Sequence, residues 1–256
     1  MNLDLSDRVI FIAGASRGIG LAIAEACLQE GAWVALTARG GESLEETRVR
    51  LASAYGADRV WARAGDLRDS ATIEASLAAA ETELGPIWGA VANVGLHHGP
   101  MGFDVDDETW AAGLAQNLDS AYRLARGALR RMVPRGEGSL LLISSVAGMA
   151  AWGDPLPYGP AKAAVNHLAR ALAGMTGAQG VRVNALAPGN IRFSGNWWDG
   201  AVTSEPEFWT GYIEREVPMR RFGAVEEIGS VAAFLLSPRA SFVHGAVIPV
   251  DGGQMS

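Results

Sequence analysis

The chain reads as an α/β protein built on a doubly wound parallel sheet, and three observations carry that expectation. Short β-rich apolar runs alternate with longer helical patterns from one end to the other. The runs are apolar at successive positions, as strands are when both faces are covered. A glycine-rich turn joins the first apolar run to the first helical pattern, as in a βαβ unit.

In order, about seven strands are expected, at Val9–Ala13, Trp33–Thr37, Val60–Arg63, Trp88–Ala92, Ser139–Ser144, Val181–Leu186 and Ala246–Val250. Helical stretches fall near 18–30, 42–55, 70–84, 106–133 (as two helices), 158–176 and 225–236, disposed on both faces of the sheet. No Pro/Ser-rich linker, repeat or low-complexity tract interrupts the 256 residues, so a single domain over 1–256 is expected. Ligands of such sheets lie beyond the carboxyl ends of the strands, so functional residues are expected just after strands.

The bulk properties narrow the function classes. A formal net charge of −7 with no run of lysines or arginines argues against nucleic acid or an anionic membrane as partner. The one cysteine, Cys27, excludes an internal disulfide and fits a reducing compartment. The N-terminus, MNLDLSDRVIF, has no basic segment followed by a long apolar run, and no apolar stretch reaches the ~18 residues of a bilayer span. A soluble, cytoplasmic protein is expected.

The glycine turn is AGASRGIGLAIAEA, residues 13–26, with Gly14, Gly18 and Gly20 in GxxxGxG spacing. Glycines supply backbone angles that side chains forbid, and the helix start offers unpaired N–H groups to an anion such as a pyrophosphate. The second strand then ends VALTARGGE, residues 34–42. An NAD site places an acid there for the ribose 2′-hydroxyl; Ala38 holds that place, Arg39 follows, and Arg17 lies inside the glycine turn. Two guanidiniums attract a 2′-phosphate that an acid would repel, so NADP(H) is expected in preference to NAD.

YGPAK, residues 158–162, supplies the chemistry. Proline is tolerated in the first turn of a helix, which puts Tyr158 at the helix start and Lys162 one turn on along the same face. Helix start and ammonium both favour phenolate, so a tyrosine acidified below its usual ~10 is expected. Ser145 follows the fifth strand, 13 residues before Tyr158, and Asn117 stands inside a helical stretch where asparagine is intrinsically unfavoured. VANVG, APGN and VDGG close the fourth, sixth and last strands.

Taken together, from GASRGIG through VDGG, the chain resembles the soluble short-chain dehydrogenase/reductases, a Rossmann-fold family of roughly this length. The resemblance implies that Gly14, Ser16, Arg17, Gly18, Ile19 and Gly20 line the pyrophosphate and ribose. It puts Asp66 and Leu67 by the adenine, Asn93 and Gly95 by the adenosine ribose and strand ends, and Pro188, Gly189 and Ile191 beside the nicotinamide. Asn117, Ser145, Tyr158 and Lys162 match the family's catalytic tetrad, with Ser145 holding a carbonyl oxygen, Tyr158 passing a proton, Lys162 tuning it and holding the ribose, and Asn117 stabilising a water. Three positions depart from the pattern: Ala92 opens the fourth-strand motif, Pro160 interrupts YxxxK, and Phe193 stands where the family has a threonine that hydrogen-bonds the nicotinamide amide, with Ser194 next.

Between the sixth strand and the helix near 225, a segment at about 190–222 holds six of the nineteen aromatics within twenty residues: Phe193, Trp197, Trp198, Phe208, Trp209 and Tyr212. In the family this segment covers the substrate. Ser145, Trp152, Phe193, Trp197 and Trp198 are therefore the candidate substrate contacts, with His97 and His98 near them, and an apolar or aromatic ketone or aldehyde is the expected substrate. Arg192 is a candidate for an acidic substrate group, though a surface role suits it equally. An alcohol dehydrogenase, a 3-oxoacyl-thioester reductase and a silent NADP(H) sensor are the competing readings. No metal site is expected. By the same resemblance the helices near 117–133 and 158–176 pair chains into a homotetramer or homodimer, the second through a face of Ala161, Ala164, Leu168, Ala171 and Leu172.

Overall fold

The computed structural model describes residues 2–97 and 99–255; His98 lies outside the described residues. Seven parallel strands form one sheet in the order β3-β2-β1-β4-β5-β6-β7. They are β1 (Val9–Ala13), β2 (Trp33–Ala38), β3 (Val60–Ala64), β4 (Ile87–Ala92), β5 (Gly138–Ile143), β6 (Val181–Pro188) and β7 (Val247–Val250). The chain winds outward from β1 to β3, returns to lay β4 against β1, and winds outward the other way. That reversal opens a crevice at the carboxyl ends of β1 and β4.

Helices cover both faces, and the two-residue period of a strand decides which side chain meets which layer. Ile10 and Ile12 of β1, Val34 and Leu36 of β2, and Leu141 and Ile143 of β5 enter one core cluster. This cluster lies under α1 (Gly18–Gln29), α2 (Gly41–Tyr55) and α9 (Val225–Leu236). Val9, Phe11, Ala35, Leu140 and Leu142 enter the other, under α3 (Ser70–Leu84), α5 (Ser120–Met132) and α6 (Tyr158–Thr176). Burial on both sides accounts for strands with no polar alternation. Where α1 crosses α9, a Cβ on Gly229 would stand 2.6 Å from the Ala22 carbonyl oxygen. That closeness is possible only because the residue is glycine.

The helical stretch at 106–133 comprises α4 (Asp107–Leu114) and α5, joined by one wider π turn at Ala115–Asp119. Asp106 caps α4, accepting from the backbone of Thr109 at 2.8 Å. The aromatic segment contains two helices that the sequence pattern did not assign, α7 (Trp197–Ser204) and α8 (Pro206–Glu216). Asn196 caps α7 through the Asp199 N–H at 2.9 Å, and Pro206 opens α8 at a position where its missing donor costs nothing. Among the described residues no helix is long and apolar enough to cross a membrane. On α6 the expected pairing face is incomplete. Ala161 is fully buried within its own chain, while Ala164, Leu168, Ala171 and Leu172 stay half-buried.

Candidate active site

The glycine turn bends the chain from β1 into α1 with Gly14 and Gly18 at φ 66° and 59°, angles that disfavour any other residue. A Cβ on Gly20 would lie 2.2 Å from the Gly14 carbonyl oxygen, so the start of α1 folds directly onto the turn. Asn93, just past β4, donates its amide to that same carbonyl at 3.1 Å, tying the two central strands together at the crevice. The Ser16 carbonyl accepts from Thr47 of α2 at 3.0 Å, and Ile19 packs inward on the core. At the end of β2, Ala38 is buried and Arg39 exposed. Asp66 is gripped by Arg68 at 2.6–3.1 Å, and Leu67 is buried. Hydrogen bonds from Arg68, with weaker attraction from Arg39, hold the Asp66 carboxyl down at about 2.

On the other side of the crevice, β5 ends at Ile143 and releases Ser144 and Ser145. The Ser145 oxygen accepts the Ala147 N–H at 3.1 Å and its hydroxyl is hydrogen-bonded to Tyr158. Tyr158 opens α6, its N–H donating to the Pro155 carbonyl at 2.9 Å. Lys162, 4 % exposed, sends its ammonium to the Ile143 carbonyl at 2.9 Å. The ammonium lies 5.6 Å from the centre of the Tyr158 ring. Bare backbone at Gly95 makes this crowding possible, because a Cβ there would stand 2.8 Å from the Lys162 nitrogen and 3.0 Å from the Asn117 oxygen. The π turn carries Asn117, whose carboxamide accepts from Leu96 N at 2.9 Å and donates to the Gly113 carbonyl at 3.0 Å. Four side chains from three segments thus converge on one corner of the crevice.

The electrostatics correct one expectation. Tyr158 is not acidified; it is pushed up to about 12, first by burial, with a smaller upward push from Asp154, against a downward pull from the Ser145 hydrogen bond. The residue as a whole keeps some exposed surface, but the hydroxyl that titrates is enclosed by protein. Burial acts on Lys162 in the opposite sense, bringing its ammonium down to about 8. Both charged forms are disfavoured because both have left water. Proximity of the pair was legible in YxxxK; desolvation was not.

Pro188 closes β6 buried, and Gly189 just beyond it donates to the Val250 carbonyl at 3.0 Å. Ile191 turns into the core against Gly223, where a Cβ would meet its Cδ1 at 2.5 Å. Phe193 stands apart from the other substrate candidates. Its ring lies on Gly18, with ring atoms 2.4–3.0 Å from where a Cβ would be. Arg17 holds the same stretch through the Gly195 carbonyl at 3.3 Å. Phe193 and Arg17 thus strap the segment after β6 over the glycine turn. Trp197 and Trp198 lead α7 into an aromatic cluster with Trp209, ring centres 4.7–5.5 Å apart; Trp198 also meets Tyr212 and Phe222. Trp152 is half-buried, its indole N–H without a partner among the described residues. Arg192 is paired with Asp199 at 3.0 Å. Asp154, which no sequence motif marked, comes beside the site bonded to His97.

Comparison with known proteins matches this geometry to a family. A family model described as enoyl-(acyl carrier protein) reductase matches residues 14–255. The chain is 35% identical over 262 residues to 2-(S)-hydroxypropyl-CoM dehydrogenase 3 of Xanthobacter autotrophicus, with 99% of each chain covered. Among solved structures it superposes on a putative short-chain alcohol dehydrogenase from Sinorhizobium meliloti with a TM-score of 0.91 at 37% identity, covering 100% of this chain and 99% of that one. L-sorbose reductase from Gluconobacter frateurii, solved with NADPH and L-sorbose, gives a TM-score of 0.91 at 31% identity over 100% of this chain and 99% of the other. Sheet order, glycine turn and full-length similarity lead to one conclusion: the chain belongs to the short-chain dehydrogenase/reductase family of oxidoreductases.

Proposed function

We propose that the chain is an NADP(H)-dependent reductase of apolar or aromatic ketones and aldehydes, with Tyr158 as the general acid. The observation that carries this reading is the buried trio of Ser145, Tyr158 and Lys162 at the carboxyl end of a central strand. The residues fit a nicotinamide dinucleotide. Gly14 and Gly20 let the turn fold tightly onto Asn93 and onto itself, the start of α1 offers its N–H groups to a pyrophosphate, and Arg17 and Arg39 suit a 2′-phosphate. The NADPH bound to L-sorbose reductase favours the same cofactor here.

When bound, the reduced nicotinamide supplies a hydride to the carbonyl carbon. Ser145 holds the carbonyl oxygen against the Tyr158 hydroxyl, and Tyr158 gives up its proton as negative charge develops there. A phenol kept near 12 is fully protonated at neutral pH and therefore always loaded as a donor. Lys162, brought down to about 8, sits close to working pH and replaces that proton, while Asn117 orders the path to solvent. The aromatic helices α7 and α8, within the segment at about 190–222, exclude water from the exchange. We place the whole of 1–256 in one nucleotide-binding domain that acts in the cytoplasm and assembles as a homotetramer or homodimer.

The test is NADPH oxidation with a panel of ketones and aldehydes, for the wild type and Tyr158→Phe. The variant is expected to lose at least ~100-fold in kcat with NADPH affinity intact. Turnover by Tyr158→Phe near that of the wild type refutes the role of the phenol. NADPH binding without turnover of any carbonyl identifies a sensor instead.

A further inference from the structure

Ser145, Tyr158 and Lys162 leave one polar pair beside them unused. His97 Nε2 and Asp154 Oδ1 lie 2.9 Å apart, joined across 57 residues. The imidazole stands edge-on to the Tyr158 ring with centres 4.9 Å apart, and its other face neighbour is Trp197 at 5.3 Å. The histidine therefore bridges the reacting phenol and the aromatic helices. Both side chains are largely covered, 29% and 19% exposed. A carboxylate can only accept, so the shared proton sits on Nε2, and the tautomer this selects leaves Nδ1 as an acceptor. Among the described residues no protein donor meets that nitrogen.

We propose that His97, oriented by Asp154, accepts a hydrogen bond from a hydroxyl on the carbon next to the reacting carbonyl, so that the substrates are 2-hydroxy ketones bearing an apolar or aromatic group. The inference rests on the carbonyl-reductase reading and narrows it. An imidazole in edge contact with the phenol ring is one substituent away from whatever the phenol hydroxyl holds. The partner must be a donor, because Nδ1 offers a lone pair. A 2-keto acid fits poorly: its carboxylate would face Asp154, and the candidate cation Arg192 is already engaged by Asp199 at 3.0 Å. His97 is thus a specificity-determining residue and Asp154 a positioning residue acting through it.

The test compares three carbonyl compounds sharing one aryl group: the methyl ketone, its 2-hydroxy derivative and the 2-keto acid. Wild type is expected to prefer the 2-hydroxy ketone over the plain ketone by ~10-fold in kcat/KM, about the effect of one hydrogen bond. His97→Phe keeps the ring contacts with Tyr158 and Trp197. It is expected to erase that preference through KM, with NADPH binding by fluorescence titration as the folding control. Asp154→Ala is expected to erase most of the preference, and His97→Gln to restore part of it. Equal efficiency on both ketones in the wild type, an equal loss on both in His97→Phe, or a preference for the keto acid overturns the inference and leaves the reductase reading standing. Reduction of none of the three overturns the reading itself, and the inference with it.

Discussion

Lys162→Met is expected to make the ligand-free protein more stable while ending its catalysis. Burial lowers the ammonium from 10.5 to about 8, a preference for the neutral form of about 2.5 pH units. At ~1.4 kcal/mol per unit, keeping Lys162 charged at neutral pH costs the fold about 3 kcal/mol. Methionine is unbranched and apolar and fills nearly the same volume. It loses the hydrogen bond to the Ile143 carbonyl, worth ~1 kcal/mol. The net gain is about 2 kcal/mol, or ~4–8 °C in Tm for a chain of this size. The sign with pH follows from the depressed folded-state value. The unfolded chain binds the proton up to 10.5 and the folded chain only up to about 8. Wild-type stability therefore rises between those limits, and the gap to the variant closes. Tyr158 titrates in both proteins, so it cancels in the difference. Urea denaturation of both proteins at pH 7 and pH 10 makes the measurement. A variant less stable than the wild type at pH 7, or a gap that does not shrink by pH 10, would refute the assignment of Lys162 as a charge held at the expense of stability.

Other outcomes follow from the same structure. Ala38→Asp with Arg39→Ala is expected to turn the cofactor preference from NADPH to NADH in kcat/KM, and an unchanged ratio defeats the 2′-phosphate reading. Phe193→Thr removes the ring from Gly18 and restores a hydroxyl donor; NADPH binding, followed by fluorescence titration, should tighten ~5-fold for one added hydrogen bond, and weaker binding would show that the ring assists the nucleotide. Gly229→Ala drives a methyl group to 2.6 Å from the Ala22 carbonyl oxygen between α1 and α9. A loss of about 1–3 kcal/mol is expected by denaturation, and an unmoved midpoint would show that the two helices separate freely.

The sheet was legible because strands buried on both faces leave a signal that needs no tertiary information. The ends of β1, α3, α6 and α9 fall where the pattern placed them. Less visible were α7 and α8, helices of only eight and eleven residues whose aromatic side chains pack on one another; the Asn196 cap and Pro206 were the available signs. The nearness of Tyr158 to Lys162 was written in their spacing. The direction in which the phenol moves was not, because desolvation depends on what the rest of the chain brings over it. Phe193 was assigned by its place in a motif, yet a ring cannot do what a hydroxyl does there, and it settles on Gly18, where no side chain stands in its way. His97 and Asp154 meet across 57 residues, a distance no local pattern spans.

The wide turn at Ala115–Asp119 has a genetic corollary. A π turn holds one more residue than the regular helix around it. Excising any one codon from this stretch would let α4 and α5 fuse into an uninterrupted rod with better-formed backbone bonds. The rod would be sturdier and, because the wide turn absorbs its extra residue locally, the residues on either side would keep their faces; the Asn117 amide, carried by the bulge, would leave Leu96 behind. At this joint a small in-frame deletion could be invisible to a thermal melt and still silence the protein.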